Sequence, residues 1–490
     1  MLDQFKKLLG QSAIYGLGLV ASGIATLILT PLFLHRLSKS EYGMLEILSV
    51  YTSMIATILL LGMASVLIKV YLNDCNDEQE RKQLVTSMVA FSGVAAILIV
   101  LLSSVFSGPL SGLLLKGREH APLIRLAACS GGLLLVQQIT MTCLRAKQWP
   151  GKFVTISLLH LALMISLSIY LVWSRHMGVV GILLATVFAH MIALSMGLVM
   201  VRSDLAAGLS MKIVKHVLRL SIPLFPMTMA PWVLNVSDRY FLNQYAGLSD
   251  TGLYAVGYKI GMTGMFLLIN AFQYAWGPFY FASSDGVETP RLCANVLKYY
   301  VLVLVASGLA FSLFAPEILR VIAKREFWGA DWIVPYIALS YVFHGIQFFS
   351  IPFFIKVDRG ILLNWIMCGA AILNLSLNFL LIPAYGIRGA VAATLSTFML
   401  QAVVSLAMAT RVYHVPHQYG NIAKVFALAV VAYVVLAHVS AVPGVLLALK
   451  LASFPILALA LLGMGFLNRK ELDLMQSIPG KVRRRLVGYV

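Results

Sequence analysis

The chain alternates between long apolar runs and short polar or basic segments along its whole length. Each run has roughly 20 residues, which is the length of an α-helix that crosses a bilayer. The pattern predicts an all-α polytopic membrane protein in which consecutive helices pack as antiparallel hairpins. Fourteen spans are predicted, near residues 12–34, 44–68, 84–107, 121–144, 153–173, 179–201, 220–242, 252–276, 296–314, 334–355, 361–382, 389–410, 422–442 and 446–467.

Composition favours the same class and excludes an ordinary soluble protein. The 490 residues are 60% hydrophobic and only 11% charged, whereas soluble chains carry about 25% charged residues. The formal net charge is +18, but the basic residues concentrate in the loops between spans. We therefore interpret them as a topology signal and as attraction to anionic membrane lipids, not as a nucleic-acid surface. Their distribution predicts that both termini are cytoplasmic.

The cysteines and histidines form no pattern typical of a metal site or a catalytic centre. The five cysteines include no CxxC pair, and the histidines include no HxxxH pair. The longest predicted external loop, near residues 315–333, is short and has no paired-carboxylate motif. A membrane glycosyltransferase or polymerase usually needs a sizeable external loop that holds catalytic acidic or basic residues. The sequence therefore disfavours an enzyme. We predict no catalytic residue, no metal and no cofactor.

An internal repeat divides the chain. The motif Gly-x-x-Gly followed by Ala-Thr begins at Gly178 and recurs 208 residues later at Gly386, and Gly43 matches Gly252 with one insertion. Tandem six-helix halves predict two pseudo-symmetric bundles around a central cavity, where transporters place their substrates. The predicted units are an N-terminal lobe (1–210), a C-terminal lobe (211–412), and two further spans with a basic tail (413–490).

The most informative stretch, residues 223–260, places prolines and charges inside two apolar spans. Prolines in a helix interior remove hydrogen bonds and kink the helix, so three of them are candidate hinge points. An ionisable residue at membrane depth is costly and usually faces a cavity or a partner. The charged residues of this stretch are therefore expected to point inward. The prolines are Pro223, Pro226 and Pro231, and the charged residues are Asp238, Arg239 and Lys259.

The sequence resembles the polysaccharide transporter family, the lipid-linked oligosaccharide flippases of the multidrug/oligosaccharidyl-lipid/polysaccharide exporter superfamily. The resemblance covers roughly residues 1–412. It depends on SAIYGLGLVASGIATLILTPLFLHRLSKSEYGMLEIL near the start, and on IPLFP, SDRYFLNQYAGLSDTGLYAVGYKI and AFQYAWGPFYF in the second half.

This resemblance implies a function. The expected activity is movement of an undecaprenyl-pyrophosphate-linked oligosaccharide, such as an O-antigen, capsule or exopolysaccharide repeat unit, across the bacterial inner membrane. The implied mechanism is alternating access, driven by H⁺ or Na⁺ as coupling ion. The implied partners are the lipid-linked substrate, membrane lipids and other polysaccharide-assembly proteins.

Basic residues are the candidate binding groups for such a cargo. Fixed positive charge in a dry-walled cavity would offset the lost hydration of a pyrophosphate, with arginine forming bidentate contacts and lysine acting as a point charge. For the residues near helix ends, an ordinary membrane-interface position is the alternative. The candidates are Lys259, Arg239, Arg36, Arg125, Lys69 and Lys356.

Two carboxylates, Asp238 and Glu46, lie in or at the edge of spans. Each is either a coupling-ion site or a counter-ion for a nearby cation. Two alternative functions also stay open. A cation-coupled multidrug antiporter of the same superfamily predicts an acidic cavity. A flippase for a lipid-linked peptidoglycan precursor predicts a cationic cavity and differs only in cargo.

Overall fold

The computed structural model describes residues 28–206, 208–282, 288–439 and 442–467. All regular secondary structure in these ranges is helical. Most of the first predicted span, near 12–34, lies outside the described residues, and so do the basic residues near both termini. The described end of that span is helix α1, residues 28–36.

The remaining helices follow the predicted order. In the first half they are α2 (Lys39–Leu60), α3 (Met63–Lys69), α4 (Glu78–Val105), α5 (Ser107–Leu115), α6 (Ala121–Ala146), α7 (Pro150–Ser168) and α8 (Gly178–Val201). In the second half they are α9 (Met211–Ser221), α10 (Phe225–Tyr245), α11 (Leu248–Ala282), α12 (Thr289–Ile322), α13 (Ile333–Lys356), α14 (Gly360–Tyr385) and α15 (Ile387–Val412), followed by α16 (Tyr419–His438) and α17 (Pro443–Gly463).

Thirteen helical stretches in the described ranges are long and apolar enough to cross a membrane. They coincide with the second to fourteenth predicted spans, which confirms the all-α polytopic architecture. Helices α11 and α12 are longer than predicted, with 35 and 34 residues. At 1.5 Å per residue each measures about 50 Å, more than the roughly 30 Å hydrocarbon core. Both helices therefore continue beyond the apolar run from which they were predicted.

The two halves repeat the same packing pattern. In the first half α6 packs against α2, α4 and α8, and α7 packs against α8. In the second half α13 packs in the same way against α11, α12 and α15, and α14 packs against α15. Helices α6 and α13, the fourth and tenth spans, therefore have equivalent neighbours, as a tandem repeat requires. The lobe boundaries near residues 210 and 412 stay a prediction.

Helices α2 and α11 cross in direct backbone contact between the halves. A Cβ atom built on Gly43 would lie 1.9 Å from the carbonyl oxygen of Leu248, and one on Gly252 would lie 2.1 Å from that of Lys39. Only glycine allows this approach, because every other residue carries that atom. We call the end of the bundle at which α2 and α11 begin the closed end.

Hydrogen bonds between the halves reinforce the closed end. The side-chain amides of Asn243 and Gln244, at the end of α10, donate to the carbonyl oxygens of Leu114 and Leu113 at 2.5 and 2.6 Å. Lys116 Nζ donates in return to the carbonyl oxygen of Gln244 at 2.9 Å. The end of α5 is thereby attached to the opposite half.

The span from Met211 to Tyr245 is broken where the prolines predicted a break. Helix α9 ends at Ser221, a 3₁₀ turn that contains Pro223 follows, and α10 begins with Pro226 in its first turn. Pro231 lies inside α10, which continues through it to Tyr245. The break therefore lies at the first two prolines. A hinge function for the three prolines stays a prediction.

The last helix carries a lysine inside the bundle. Lys450 of α17 is 5% exposed, and its Nζ lies 2.7 Å from Oε1 of Glu317 in α12. Burial of an ammonium group at this depth costs several kcal/mol less when a carboxylate is paired with it than when it is unpaired. This ion pair attaches α17 to the second half.

Candidate functional site

A cavity of about 510 Å³ lies between the first-half helices and α11. Helices α1, α2, α6, α7 and α8 supply most of its wall. Among the described lining residues, Lys259 is the one contributed by the second half. The cavity thus lies at the interface between the halves, where the repeat predicted it, but mainly against the first half.

Lys259 reaches across that interface to Glu46. Its Nζ lies 2.9 Å from Oε1 of Glu46 and donates to the hydroxyl oxygen of Tyr42, also at 2.9 Å. The side chain of Lys259 is 26% exposed and that of Glu46 is 12% exposed. Both charged residues line the cavity. Two of the three ammonium donors are therefore used within the protein, and Glu46 neutralises the charge.

Arg239 lies behind this pair and is buried. One terminal nitrogen lies 2.9 Å from Oδ1 of Asp238 and also donates to the carbonyl oxygen of Asn235. Its Nε lies 3.9 Å from Oε2 of Glu46, and its guanidinium lies 4.2 Å from the ring centre of Tyr258. Glu46 therefore contacts one cation at the cavity surface and a second one beneath it.

These four residues form one network with two positive and two negative charges: Lys259, Arg239, Glu46 and Asp238. The sequence predicted an excess of positive charge on the cavity wall, but the described lining shows no such excess in this conformation, and the cationic binding site stays a prediction. Among the lining residues that the structure describes, Lys259 and Glu46 are the charged ones, and they are paired. The prediction placed Glu46 near Lys259, but its side chain crosses the interface and neutralises the lysine.

A shell of tyrosines around the network was missed. Tyr254 donates to Oδ2 of Asp238 at 2.5 Å, and Tyr341 donates to the side-chain oxygen of Asn235 at 2.9 Å. The hydroxyls of Tyr258 and Tyr341 lie 3.2 Å apart. The available signal was spacing, because Tyr254 and Tyr258 are four residues apart on one helix face. In an apolar span such tyrosines otherwise resemble ordinary core residues.

The two other candidate arginines lie at the closed end and outside the cavity. Arg36 stacks on Trp173, 4.0 Å from the ring centre, and donates to its carbonyl oxygen at 3.4 Å. Arg125 is exposed and donates from Nε to the hydroxyl of Ser107 at 3.0 Å. Neither lines the described cavity, because each lies near a helix end and turns toward groups of its own half, and a role of either in binding the cargo stays a prediction.

The two remaining lysines lie near the opposite helix ends. Lys69 is an exposed residue at the end of α3. Lys356 ends α13 and lies 5.2 Å from the ring centre of Tyr280. Neither residue lines the cavity. For both, the membrane-interface alternative fits the structure better than the cavity prediction.

A set of uncharged polar side chains lines the cavity on three helices of the first half. They come from α6, α7 and α8, and we call this set the polar wall: Ser130, Gln137, Ser157, His160 and Thr186. Behind it, Nδ1 of His190 lies 2.6 Å from the side-chain oxygen of Gln137. The rings of His160 and His190 are 4.7 Å apart between centres. The cavity therefore offers one ion pair, from α2 and α11, together with neutral donors and acceptors that also include hydroxyl groups of α1 and α2.

The described residues contain no group of three His, Cys, Asp or Glu side chains placed to hold a metal ion. The ionic groups of the site instead satisfy one another. A ligand that enters the cavity meets an ion pair and a row of neutral donors and acceptors.

Solved structures with the same fold are transporters. The fold matches a lipid II flippase, MurJ, in an inward closed conformation, with a TM-score of 0.72 and 13% identity, over 91% of this chain and 98% of that one. It also matches an inward-facing multidrug resistance transporter of the MATE family, with a TM-score of 0.61 and 17% identity, over 81% and 94% of the two chains. A mutant of the Vibrio cholerae MATE transporter VcmN gives a TM-score of 0.56 at 14% identity, over 83% and 96%.

These likenesses establish the fold at low sequence identity. No curated protein sequence matches the chain significantly. The sequence profile of one family, described as polysaccharide biosynthesis protein, matches residues 33–331. That range is more than half of the 490 residues and includes the charged network and the polar wall. The chain is a multi-pass membrane protein with a transporter fold, and it belongs to the polysaccharide biosynthesis protein family.

Proposed function

We propose that the chain is a flippase, not an enzyme, for an undecaprenyl-pyrophosphate-linked oligosaccharide: an O-antigen, capsule or exopolysaccharide repeat unit. It would move this cargo from the cytoplasmic to the outer leaflet of the bacterial inner membrane, with both of its termini in the cytoplasm. The family and the fold support a transporter in polysaccharide biosynthesis. The observation that carries the proposal is a lysine in the wall of an inter-half cavity, paired with a carboxylate that an anionic headgroup can replace.

The charged network suits exchange of one anion for another. A pyrophosphate that binds Lys259 would displace the carboxylate of Glu46. Removing a buried partner normally leaves an uncompensated charge, at a cost of about 3–5 kcal/mol. Here Glu46 still lies within 3.9 Å of Arg239 Nε. Arg239 would therefore stabilise the displaced carboxylate of Glu46 while the pyrophosphate binds Lys259.

Alternating access follows from this exchange. In the present conformation the crossing of Gly43 and Gly252 closes one end. Binding of the headgroup would separate α2 from α11, since these helices carry Glu46 and Lys259. The lobes 1–210 and 211–412 would then rock about the broken span, with Pro223, Pro226 and Pro231 as hinge points. H⁺ or Na⁺ at Glu46 or Asp238 would couple the cycle to an ion gradient.

Two alternatives share parts of this geometry. The carboxylate of Glu46 in the cavity wall also suits a cation-coupled multidrug antiporter, in which a cationic drug would compete with Lys259. The likeness to MurJ favours a flippase of a lipid-linked peptidoglycan precursor, which differs from our proposal in the cargo. Lys259 would be essential for an anionic cargo and dispensable for a cationic one, because removing it frees Glu46.

The decisive test is a deletion strain scored for surface polysaccharide by gel electrophoresis and glycan staining. We expect loss of the glycan, rescue by the wild-type gene, and no rescue by Lys259→Ala. Lys424→Ala is the matched control, because Lys424 lies on α16, away from the cavity, and bonds to Asn421 and the carbonyl oxygen of Met464. Expression of each variant is measured by immunoblot of the membrane fraction.

Three outcomes would contradict the proposal. Unchanged surface glycan in the deletion strain would remove the polysaccharide cargo. Lysis with accumulated peptidoglycan precursor would favour the peptidoglycan alternative. Drug sensitivity of the deletion strain that Lys259→Ala relieves but Glu46→Gln does not would favour the antiporter.

A further inference from the structure

The polar wall contains hydrogen-bonding groups that lack partners within the protein. The hydroxyl of Ser130 and Nε2 of His160 are buried and have no hydrogen-bond partner in the structure. Ser130 is fully buried, and both residues line the cavity. An unsatisfied buried polar group costs about 1–3 kcal/mol. Two such groups on one cavity wall therefore point to something that binds there.

The other members of the wall keep acceptor capacity free. The hydroxyl of Ser157 donates to the carbonyl oxygen of Phe153 at 3.0 Å, and that of Thr186 donates to the carbonyl oxygen of Ile182 at 2.8 Å. Each hydroxyl uses its one proton in its own helix and retains lone pairs for an incoming donor. The wall thus presents acceptors from α7 and α8 beside the unpartnered groups of Ser130 and His160.

The geometry of the wall is supported from behind. His190, 6% exposed, is bonded to Gln137 at 2.6 Å and lies against the ring of His160, with 32° between the ring planes. Three helices therefore hold the Gln137 and His160 side chains in place. Such support distinguishes a built binding surface from polar residues that merely face a wet cavity.

The absence of charge on this wall restricts its ligand. Among the described lining residues, the charged ones are Lys259 and Glu46, which lie on α11 and α2 and are paired with each other. A uronate or another acidic sugar placed at the wall would lose hydration without gaining a counter-ion. Neutral sugars carry dense hydroxyl and amide groups that both donate and accept hydrogen bonds. They match the mixed donors and acceptors of the wall.

We propose that the polar wall binds an uncharged sugar, a neutral hexose or N-acetylhexosamine, next to the pyrophosphate of the cargo. This inference rests on the proposed flippase function and adds the chemical class of the sugar and its binding residues. The pyrophosphate occupies the Lys259 side, and the first sugar lies across the cavity against α6 and α7. The wall selects against an acidic sugar at that position.

Binding of synthetic diesters to the full chain in nanodiscs tests the proposal. The probes are farnesyl pyrophosphate esters of N-acetylglucosamine, galactose and glucuronic acid, together with a methyl ester that has no sugar. One or two new hydrogen bonds predict that at least one neutral-sugar ester binds about fivefold or more tightly than the methyl ester. The glucuronate ester should bind no better than the methyl ester. Isothermal titration calorimetry measures each dissociation constant.

Substitutions in the wall separate the sugar contact from the pyrophosphate contact. Ser130→Ala and His160→Asn should each reduce the advantage of the neutral sugar and leave the affinity for the methyl ester unchanged. His438→Asn is the matched control, because His438 lies at the end of α16 and bonds only locally, to the carbonyl oxygen of Val434. Lys259→Ala should weaken the binding of all four probes.

The possible failures are distinguishable. If no probe binds, the proposed function fails, and this inference fails with it. If the methyl ester binds as tightly as every sugar ester, or the glucuronate ester binds best, the sugar assignment is overturned and the flippase proposal stands. Equal weakening of methyl and sugar esters by Ser130→Ala and His160→Asn would also overturn it, since it would mean that the wall is only structural.

Discussion

Gly43 and Gly252 touch each other where α2 crosses α11: a Cβ atom on Gly252 would lie 2.9 Å from the backbone nitrogen of Gly43. The two glycines also occupy matching positions in the two halves of the repeat. The contact is therefore nearly symmetric, and each half supplies the same small residue to the closed end. Opening that end requires separation of the two glycine surfaces and release of the hydrogen bonds that Lys116, Asn243 and Gln244 make across it.

We predict that Gly43→Ala shifts the protein away from the closed conformation. The added methyl group would meet the carbonyl oxygen of Leu248, and overpacking of this kind costs about 1–3 kcal/mol. Maleimide labelling of a cysteine at Ala246, with the five native cysteines replaced, should become about tenfold faster. Gly369→Ala is the control, because a Cβ there meets nothing within 4 Å. Equal labelling rates for both variants would contradict the prediction.

A double-mutant cycle separates the structural role of the Lys259–Glu46 pair from its role in transport. Glu46→Gln leaves Lys259 without its carboxylate partner, whereas Lys259→Met leaves Glu46 with Arg239 as its remaining cation. We expect a coupling energy of about 1–2 kcal/mol from thermal unfolding in detergent, and no recovery of transport in the double variant. The exposed pair Lys82–Glu78 should give about 0.5 kcal/mol or less. Restored transport in the double variant would mean that the lysine is only structural.

The guanidinium of Arg239 should not be replaceable by an ammonium. One terminal nitrogen contacts both Asp238 and a backbone carbonyl, while Nε faces Glu46, a geometry that lysine cannot reproduce. Arg239→Lys should destabilise the protein by about 2 kcal/mol. Arg125→Lys, at an exposed position, should change stability by less than about 0.5 kcal/mol. Similar melting temperatures for both variants would show that the planar guanidinium of Arg239 is not needed for stability.

The hinge interpretation predicts different effects for two prolines of α10. Pro231→Ala restores a missing backbone donor inside the helix, so the helix should become stiffer and the protein at least as stable. If α10 bends during transport, turnover should fall several-fold in a vesicle-based flipping assay. Pro226→Ala in the first turn recovers no lost bond, so it should reduce turnover less than Pro231→Ala does. Full turnover of the Pro231 variant would assign that proline a static role.

The spans were predictable because bilayer thickness fixes the length of an apolar run. The break in the seventh span was predictable because Pro223 and Pro226 lack the backbone donors that an uninterrupted α-helix would need there. The full lengths of α11 and α12 were not, since their ends leave the apolar region and hydropathy carries no signal there. The repeat indicated that α2 and α11 occupy equivalent positions, and this brought Glu46 close to Lys259.

The side-chain contacts of the site could not be predicted from sequence patterns, because they join segments that are distant in the chain. Lys259 and Glu46 are 213 residues apart, and Tyr341 reaches Asn235 over 106 residues. A side chain's rotation about its helix decides whether it meets the cavity, a neighbour or lipid. For Arg36 and Lys356, charge and depth alone could not determine that direction.

The ion pair between Lys450 and Glu317 can form only late in the synthesis of the chain. These residues are 133 positions apart, so at roughly 10 residues per second the ribosome delivers the lysine about ten seconds after the glutamate. Lys450 thus enters the bilayer after Glu317, its counter-ion, has been inserted. A chain truncated before α17 would leave that glutamate alone, a defect that membrane proteases could recognise in unfinished copies.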